Sequence, residues 1–94
     1  MSFALGSLYA TSGVADKMSK DRDFARYVHA AVSRYILCDW GDTCAEDKKS
    51  NNYAVQNGER ILAEYRDPKH SDWRIWIITE WDRSATTILF PEEY

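Results

Sequence analysis

Proline and glycine are scarce in this chain, two and four residues among 94. That scarcity excludes collagen-like and low-complexity sequence and leaves long stretches free to form regular helix and strand. The four glycines, at 6, 13, 41 and 58, lie too far apart to build a phosphate-binding loop. Cysteine occurs only as Cys38 and Cys44. Their C-x5-C spacing could close one small loop, but two thiols are the expected state, and a disulfide-stapled scaffold is excluded. Long apolar runs are missing too: nothing approaches the roughly 18 residues of a membrane span. The opening MSFALGSLYATSG has neither a basic n-region nor an apolar h-region. The expected address is the cytoplasm.

Basic excess is also absent. The net charge is −3, and it is unevenly spread. Residues 1–38 carry five Lys/Arg against three Asp/Glu, whereas 39–94 carry seven against twelve. An acidic domain repels phosphate, so direct binding of nucleic acid is disfavoured. The same charge suits a basic protein partner, and many basic surfaces exist to hold nucleic acid.

What the chain does have is apolar and aromatic residues, 45% and 14% of the total. That is enough to offset the entropy of ordering, so the chain is not expected to be disordered. Surface scaling for this size leaves about 5,600 Å² exposed of about 15,800 Å², which allows one core and no second. Residues 1–94 are therefore expected to form one domain. Four Trp and six Tyr exceed what such a core needs, so some should be half-exposed.

Periodicity places the elements. Leu5 to Ala10 alternates like a short strand, and Thr11 or Ser12 can cap one or two helical turns over Val14 to Ser19. Phe24, Tyr27, Val28, Ala31, Val32, Tyr35 and Ile36 recur at helical spacing, with Asp21 or Asp23 as the N-cap. A third, mostly polar helix is predicted from a cap at Asp42 or Thr43 to about Asn57, ending at Gly58. Only Cys44, Tyr53, Ala54 and Val55 look able to pack on its inner side. Glu59 to Arg66 alternates as a strand, and 67–72 is turn chemistry. Trp73 to Thr79 and Ala85 to Phe90 flank the polar break Glu80 to Ser84, the pattern of a hairpin that Pro91 ends. The expected fold is α+β, in the order β-α-α-α-β-β-β. Its antiparallel sheet ends in a three-strand meander and is packed by helices.

No motif names a reaction. His29, His70, Cys38 and Cys44 show none of the close pairings of a metal site, so no metal and no cofactor are expected. His29 is read as a surface or boundary residue of its helix and His70 as a solvated turn residue. Cys38 and His29 lie on roughly opposed faces of one helix, which makes a cysteine hydrolase the weakest reading. Two acid-Trp segments stand out. One is Asp39-Trp40-Gly41-Asp42 with Glu46 and Asp47; the other is Glu80-Trp81-Asp82. Each could be a polar cap or turn, with Arg83 pairing to Asp82 or Glu80. Each could equally be a partner-binding patch, with Trp40 and Trp81 as aromatic anchors inside a negative rim.

The string WIITEWDRSATTILFPEEY at 76–94, with Asp39-Trp40-Gly41-Asp42 and the opening GSLYATSGV, resembles a family of small plasmid- and phage-borne bacterial proteins. That family carries a C-terminal pattern of the form WIITE-x-DRS-x-TT-x-LFP-x-EY. The resemblance implies an accessory role on a mobile element, where small acidic proteins often inhibit host defence. The leading expectation is a non-enzymatic inhibitor of anti-CRISPR type, using Asp39, Trp40, Asp42, Glu46, Asp47, Glu80, Trp81 and Asp82 against a nucleic-acid-binding subunit of a CRISPR effector. The second expectation is a homodimeric accessory or regulatory protein, motivated by the strand Trp73 to Thr79. Both of its faces are apolar, so the second must be covered.

Overall fold

The structure is a computed structural model, and it describes residues 2–94. Strand β1 (Ser7–Ala10) leads through a Thr11 cap into helix α1 (Ser12–Lys20), then α2 (Arg22–Ile36) and α3 (Ala45–Asn57). Strands β2 (Ile61–Arg66), β3 (Arg74–Thr79) and β4 (Ala85–Leu89) follow, with a short 3-10 turn at Pro91–Glu93. Among the described residues no helix is long and apolar enough to cross a membrane. The α+β class and the element order are as the periodicity predicts.

The four strands form one sheet in the order β1-β4-β3-β2. Strands β2, β3 and β4 make the expected antiparallel meander, because short turns join them. The sheet as a whole is not antiparallel. β1 pairs with β4 in parallel, Leu8 opposite Thr86 and Ala10 opposite Ile88. A parallel pair needs a long crossover, and here nearly the whole chain supplies it.

Alternation along the strands sets the layers. Ile61, Ala63, Tyr65, Ile75, Ile77, Thr79, Thr86 and Ile88 share one face, and all are buried. Phe24, Val28, Ala31 and Tyr35, at helical spacing on α2, pack over them. Asp21 caps α2 by accepting from the Asp23 and Phe24 amides. The N-terminal leg closes one end, with Phe3 edge-on to the Tyr35 ring at 5.3 Å.

A buried chain of hydroxyls crosses this end. Thr86 Oγ1 donates to the Leu5 carbonyl at 2.7 Å, which uses its only hydrogen. Thr79 must then donate to Thr86, and Tyr35 to Thr79, each at 2.7 Å. Direction is fixed by an acceptor that cannot donate. Burial is the main cause that raises the Tyr35 pKa, outweighing the nearby Arg83 charge.

The opposite face of β3 carries Trp76 and Ile78. Its cover comes from within the chain, since Tyr94 packs edge-on to Trp76 at 5.4 Å and donation from Arg60 Nη1 holds its hydroxyl. Ile78 and Leu89 are buried. The apolar second face therefore gives no support to a homodimer, because the C-terminal residues fold back over it.

Candidate interaction surface

The segment 39–44 runs beside β2, the outer strand of the meander, and closes its free edge. The Asp42 amide donates to the Glu64 carbonyl, the Glu64 amide to Thr43 Oγ1, and the Arg66 amide to Asp42 Oδ2. One step along, Asn51 of α3 makes both side-chain bonds to Leu62, amide to carbonyl and carbonyl to amide. An uncapped edge is a template for unwanted pairing, and here side chains take the place of a fifth strand. The helix cap predicted at Asp42 or Thr43 does not form there: Cys44 is the N-cap residue of α3 and makes no side-chain bond.

Trp40 is a core residue, only 4% exposed, and cannot anchor a partner. Its indole meets the Tyr35 ring edge-on at 5.5 Å, and its Nε1 donates to Asn52 Oδ1 at 2.8 Å. Asp39 is exposed but occupied. Arg34 donates to both its oxygens, at 2.9 and 3.2 Å. That contact, with a further bond from the Gly41 amide, holds the Asp39 carboxyl below its usual pKa. Asp42 is taken up by the β2 edge. Of the first cluster, Glu46 and Asp47 in the opening turn of α3 remain exposed, and among the described residues neither has an ion pair.

Glu64 is a hub that no local sequence signal marks. Its carboxylate accepts from Arg66 Nε, Arg74 Nε and Trp76 Nε1 at 2.8 to 3.0 Å. Desolvation is the largest single influence and raises its pKa, yet the three donors together bring it below the usual value. A lowered folded pKa means stability that is present above the unfolded value, about 4.3 for Glu, and is lost as pH falls. Glu64→Gln should therefore cost about 1–2 kcal/mol at neutral pH. The cost should shrink as pH falls through the lowered folded pKa, where the wild-type carboxyl is itself protonated. Urea melts at neutral and acidic pH check both halves; a penalty that does not change with pH would contradict this origin.

The second cluster is built differently. Glu80 to Arg83 turns between β3 and β4, closed by the Arg83 amide on the Glu80 carbonyl. Arg83 sits at φ +60°, in the left-handed region. It does not pair with Asp82 or Glu80 as expected. Its guanidinium instead donates to the backbone carbonyls of Glu59, Glu80 and Trp81 through Nη1 and of Ala54 through Nη2. Ala54 lies in the last turn of α3, where a cation suits the negative end of the helix. One arginine thus ties the turn to α3.

The outcome is a fixed turn whose Trp81 indole is 66% exposed. Asp82 accepts from the Ser84 amide and is exposed, while Glu80 faces Arg60 at 3.9 Å. Tyr53, expected to pack under α3, is exposed at the same end of that helix, next to Ala54. The two acidic pairs, Glu46 with Asp47 and Glu80 with Asp82, flank opposite ends of α3. Its 13 residues span about 20 Å.

The remaining titratable side chains do not converge. Among the described residues no three His, Cys, Asp or Glu groups are placed to hold a metal ion. Cys38 is half-buried and Cys44 exposed, both as thiols, and burial raises the Cys38 pKa. His70 stacks on Trp73 at 3.7 Å, within reach of Asp67. Comparison of the chain with protein-family models, with curated proteins and with solved structures finds no match.

Proposed function

We propose that the protein is a non-enzymatic inhibitor of a bacterial defence complex, of anti-CRISPR type. It acts in the cytoplasm by docking on a basic surface that the target uses for nucleic acid. The observation that carries this reading is Trp81. A large indole is left two-thirds in water on a turn that Arg83 holds in place, between two carboxylates. Aromatic anchors of this kind supply much of the affinity at protein interfaces, and pre-ordering lowers the entropy lost on binding. Glu80 and Asp82 beside Trp81, with Glu46 and Asp47 at the other end of α3, supply negative charge that steers a Lys/Arg surface and repels phosphate. Trp40 takes no part, and Asp39 and Asp42 act through the fold. The defence setting comes from the resemblance of the C-terminal motif to mobile-element proteins.

The test is capture of candidate CRISPR effector complexes by the tagged protein at low salt and at about 0.5 M, where screening is severe. Capture should weaken with salt. Trp81→Ala should weaken it by about 30-fold or more with the thermal melt unchanged. Reversal of Glu46, Asp47, Glu80 and Asp82 to Lys should abolish it in a folded protein. Full capture by both variants would sink the assignment.

A further inference from the structure

The turn that presents Trp81 carries backbone strain. Arg83 sits at φ +60°, a region that crowds the Cβ of any residue other than glycine against a neighbouring carbonyl. Such a conformation persists only where its surroundings impose it, and these positions gather at functional sites. Guanidinium bonds to the carbonyls of Ala54 in α3 and Glu59 just beyond it supply one hold. A second hold comes from the opposite end of the chain.

Residues 3–7 form the leg that runs into β1, the sheet's open edge strand. The leg meets the turn at several points. The Arg83 guanidinium lies over the Phe3 ring, 5.9 Å from its centroid, within cation–π range. Tyr35 at 5.3 Å and Trp40 at 6.0 Å fix that ring in place, and both are buried. Gly6, at φ +66°, lies so close to the turn that an added Cβ would collide with the Arg83 and Ser84 carbonyls. Those are backbone atoms and cannot swing aside. On either side of Gly6, the Leu5 carbonyl accepts from Thr86 Oγ1 at 2.7 Å and the Ser7 amide donates to the Ser84 carbonyl at 3.1 Å. Gly6 is clamped against the turn between two hydrogen bonds.

We infer that the N-terminal leg is a positioning element for the Trp81 turn, with Phe3 and Gly6 as its contact residues. Phe3 backs the guanidinium, so that Nη1 and Nη2 stay aimed at the Glu59 and Ala54 carbonyls. Gly6 allows the close approach that fixes the backbone just after Trp81. Loss of either frees Arg83 to leave the left-handed region, and the indole then samples many orientations. Ordering it again on binding costs entropy. A partner docked on Trp81 would be held more weakly, although no residue it touches had changed. That consequence for binding rests on the docking role proposed for Trp81; the hold on the turn does not.

NMR relaxation on the intact ¹⁵N-labelled protein reads the turn directly, and capture of the effector complexes reads the consequence. In the unaltered protein the 81–83 amides should be as rigid as the strands, with order parameters of about 0.85. Phe3→Leu keeps apolar bulk but removes the ring face, and Gly6→Ala forbids the close approach. Both should bring the 81–83 amides below about 0.6. Capture should weaken by about 3-fold for Phe3→Leu and about 10-fold for Gly6→Ala. Phe3→Tyr restores the ring face and should recover both readings, whereas a loss of mere packing would be cured by leucine too. Circular dichroism confirms that each variant is folded; should Gly6→Ala not fold, Phe3→Leu and Phe3→Tyr decide alone. Rigid 81–83 amides in Phe3→Leu and Gly6→Ala would overturn the inference. Full capture by these two while Trp81→Ala fails to capture would overturn it equally. Full capture by Trp81→Ala would instead remove the docking role, and the order parameters would still decide whether the leg holds the turn.

Discussion

Trp40→Ala is expected to lower stability by about 3–5 kcal/mol, the usual cost of emptying a buried indole site. Domains of this size are stable by only about 5–15 kcal/mol, so much of the margin would go. The thermal midpoint should fall by about 12 °C or more. Three losses combine. The Tyr35 and Phe3 rings each lose an aromatic neighbour. The Asn52 carbonyl loses its Nε1–H donor. The segment 39–44 loses the side chain that fixes it beside β2. Trp81→Ala, by contrast, should move the midpoint little, as surface changes usually stay within about 0.5 kcal/mol. The two tryptophans thus separate stability from binding. A Trp40→Ala variant that melted with the wild type yet failed to capture a partner would restore Trp40 to the interface.

Gly41→Ala should be nearly as damaging, and the reason is local. Gly41 has φ +62°, and an added Cβ would stand 2.4 Å from the Tyr65 ring and 2.8 Å from the Glu64 carbonyl oxygen. The ring cannot easily give, because Tyr65 is buried and its hydroxyl donates to the Asp39 carbonyl at 2.7 Å. The left-handed conformation costs about 1–2 kcal/mol and forced overpacking about 1–3 more. Gly58 is the internal control. It has nearly the same φ, +65°, but a Cβ added there would meet nothing within 4 Å. Gly58→Ala should therefore cost only the conformational term, and Gly58→Asn less, since Asn tolerates this region. Asn at 41 should rescue nothing. Chemical denaturation of the four variants decides the matter; equal penalties at 41 and 58 would show that the close approach to Tyr65 is unimportant. Because Gly41 belongs to the cover over β2, its loss should also expose that edge and raise aggregation.

Legibility of the candidate surface follows the range of the interactions involved. Trp81 is readable as an exposed aromatic because its neighbours are polar and the break it sits in joins two strands of opposite direction. Trp40 looks the same in sequence, an indole beside acids and a glycine, and is buried. The difference lies in Phe3, Tyr35 and Asn52, which are 37, 5 and 12 positions away. Asp42 and Thr43 are sound helix-cap residues by local rule, and the amides of β2 claim them instead. Arg83 has two acids within three positions and bonds to backbone carbonyls as far off as Ala54.

The sequence by itself determined the α+β class, the order of elements, the core face of α2 and the β2-β3-β4 meander. Each of these follows from periodicity within one element or from a turn too short for any other connection. Only the tertiary structure decided that β1 joins β4 in parallel, that one sheet edge is capped while the other stays open, and which acid-Trp cluster faces water. Those outcomes depend on groups far apart in the chain competing for the same backbone amides and the same buried volume. Local propensity is blind to that competition, because its terms are settled only when the whole chain closes.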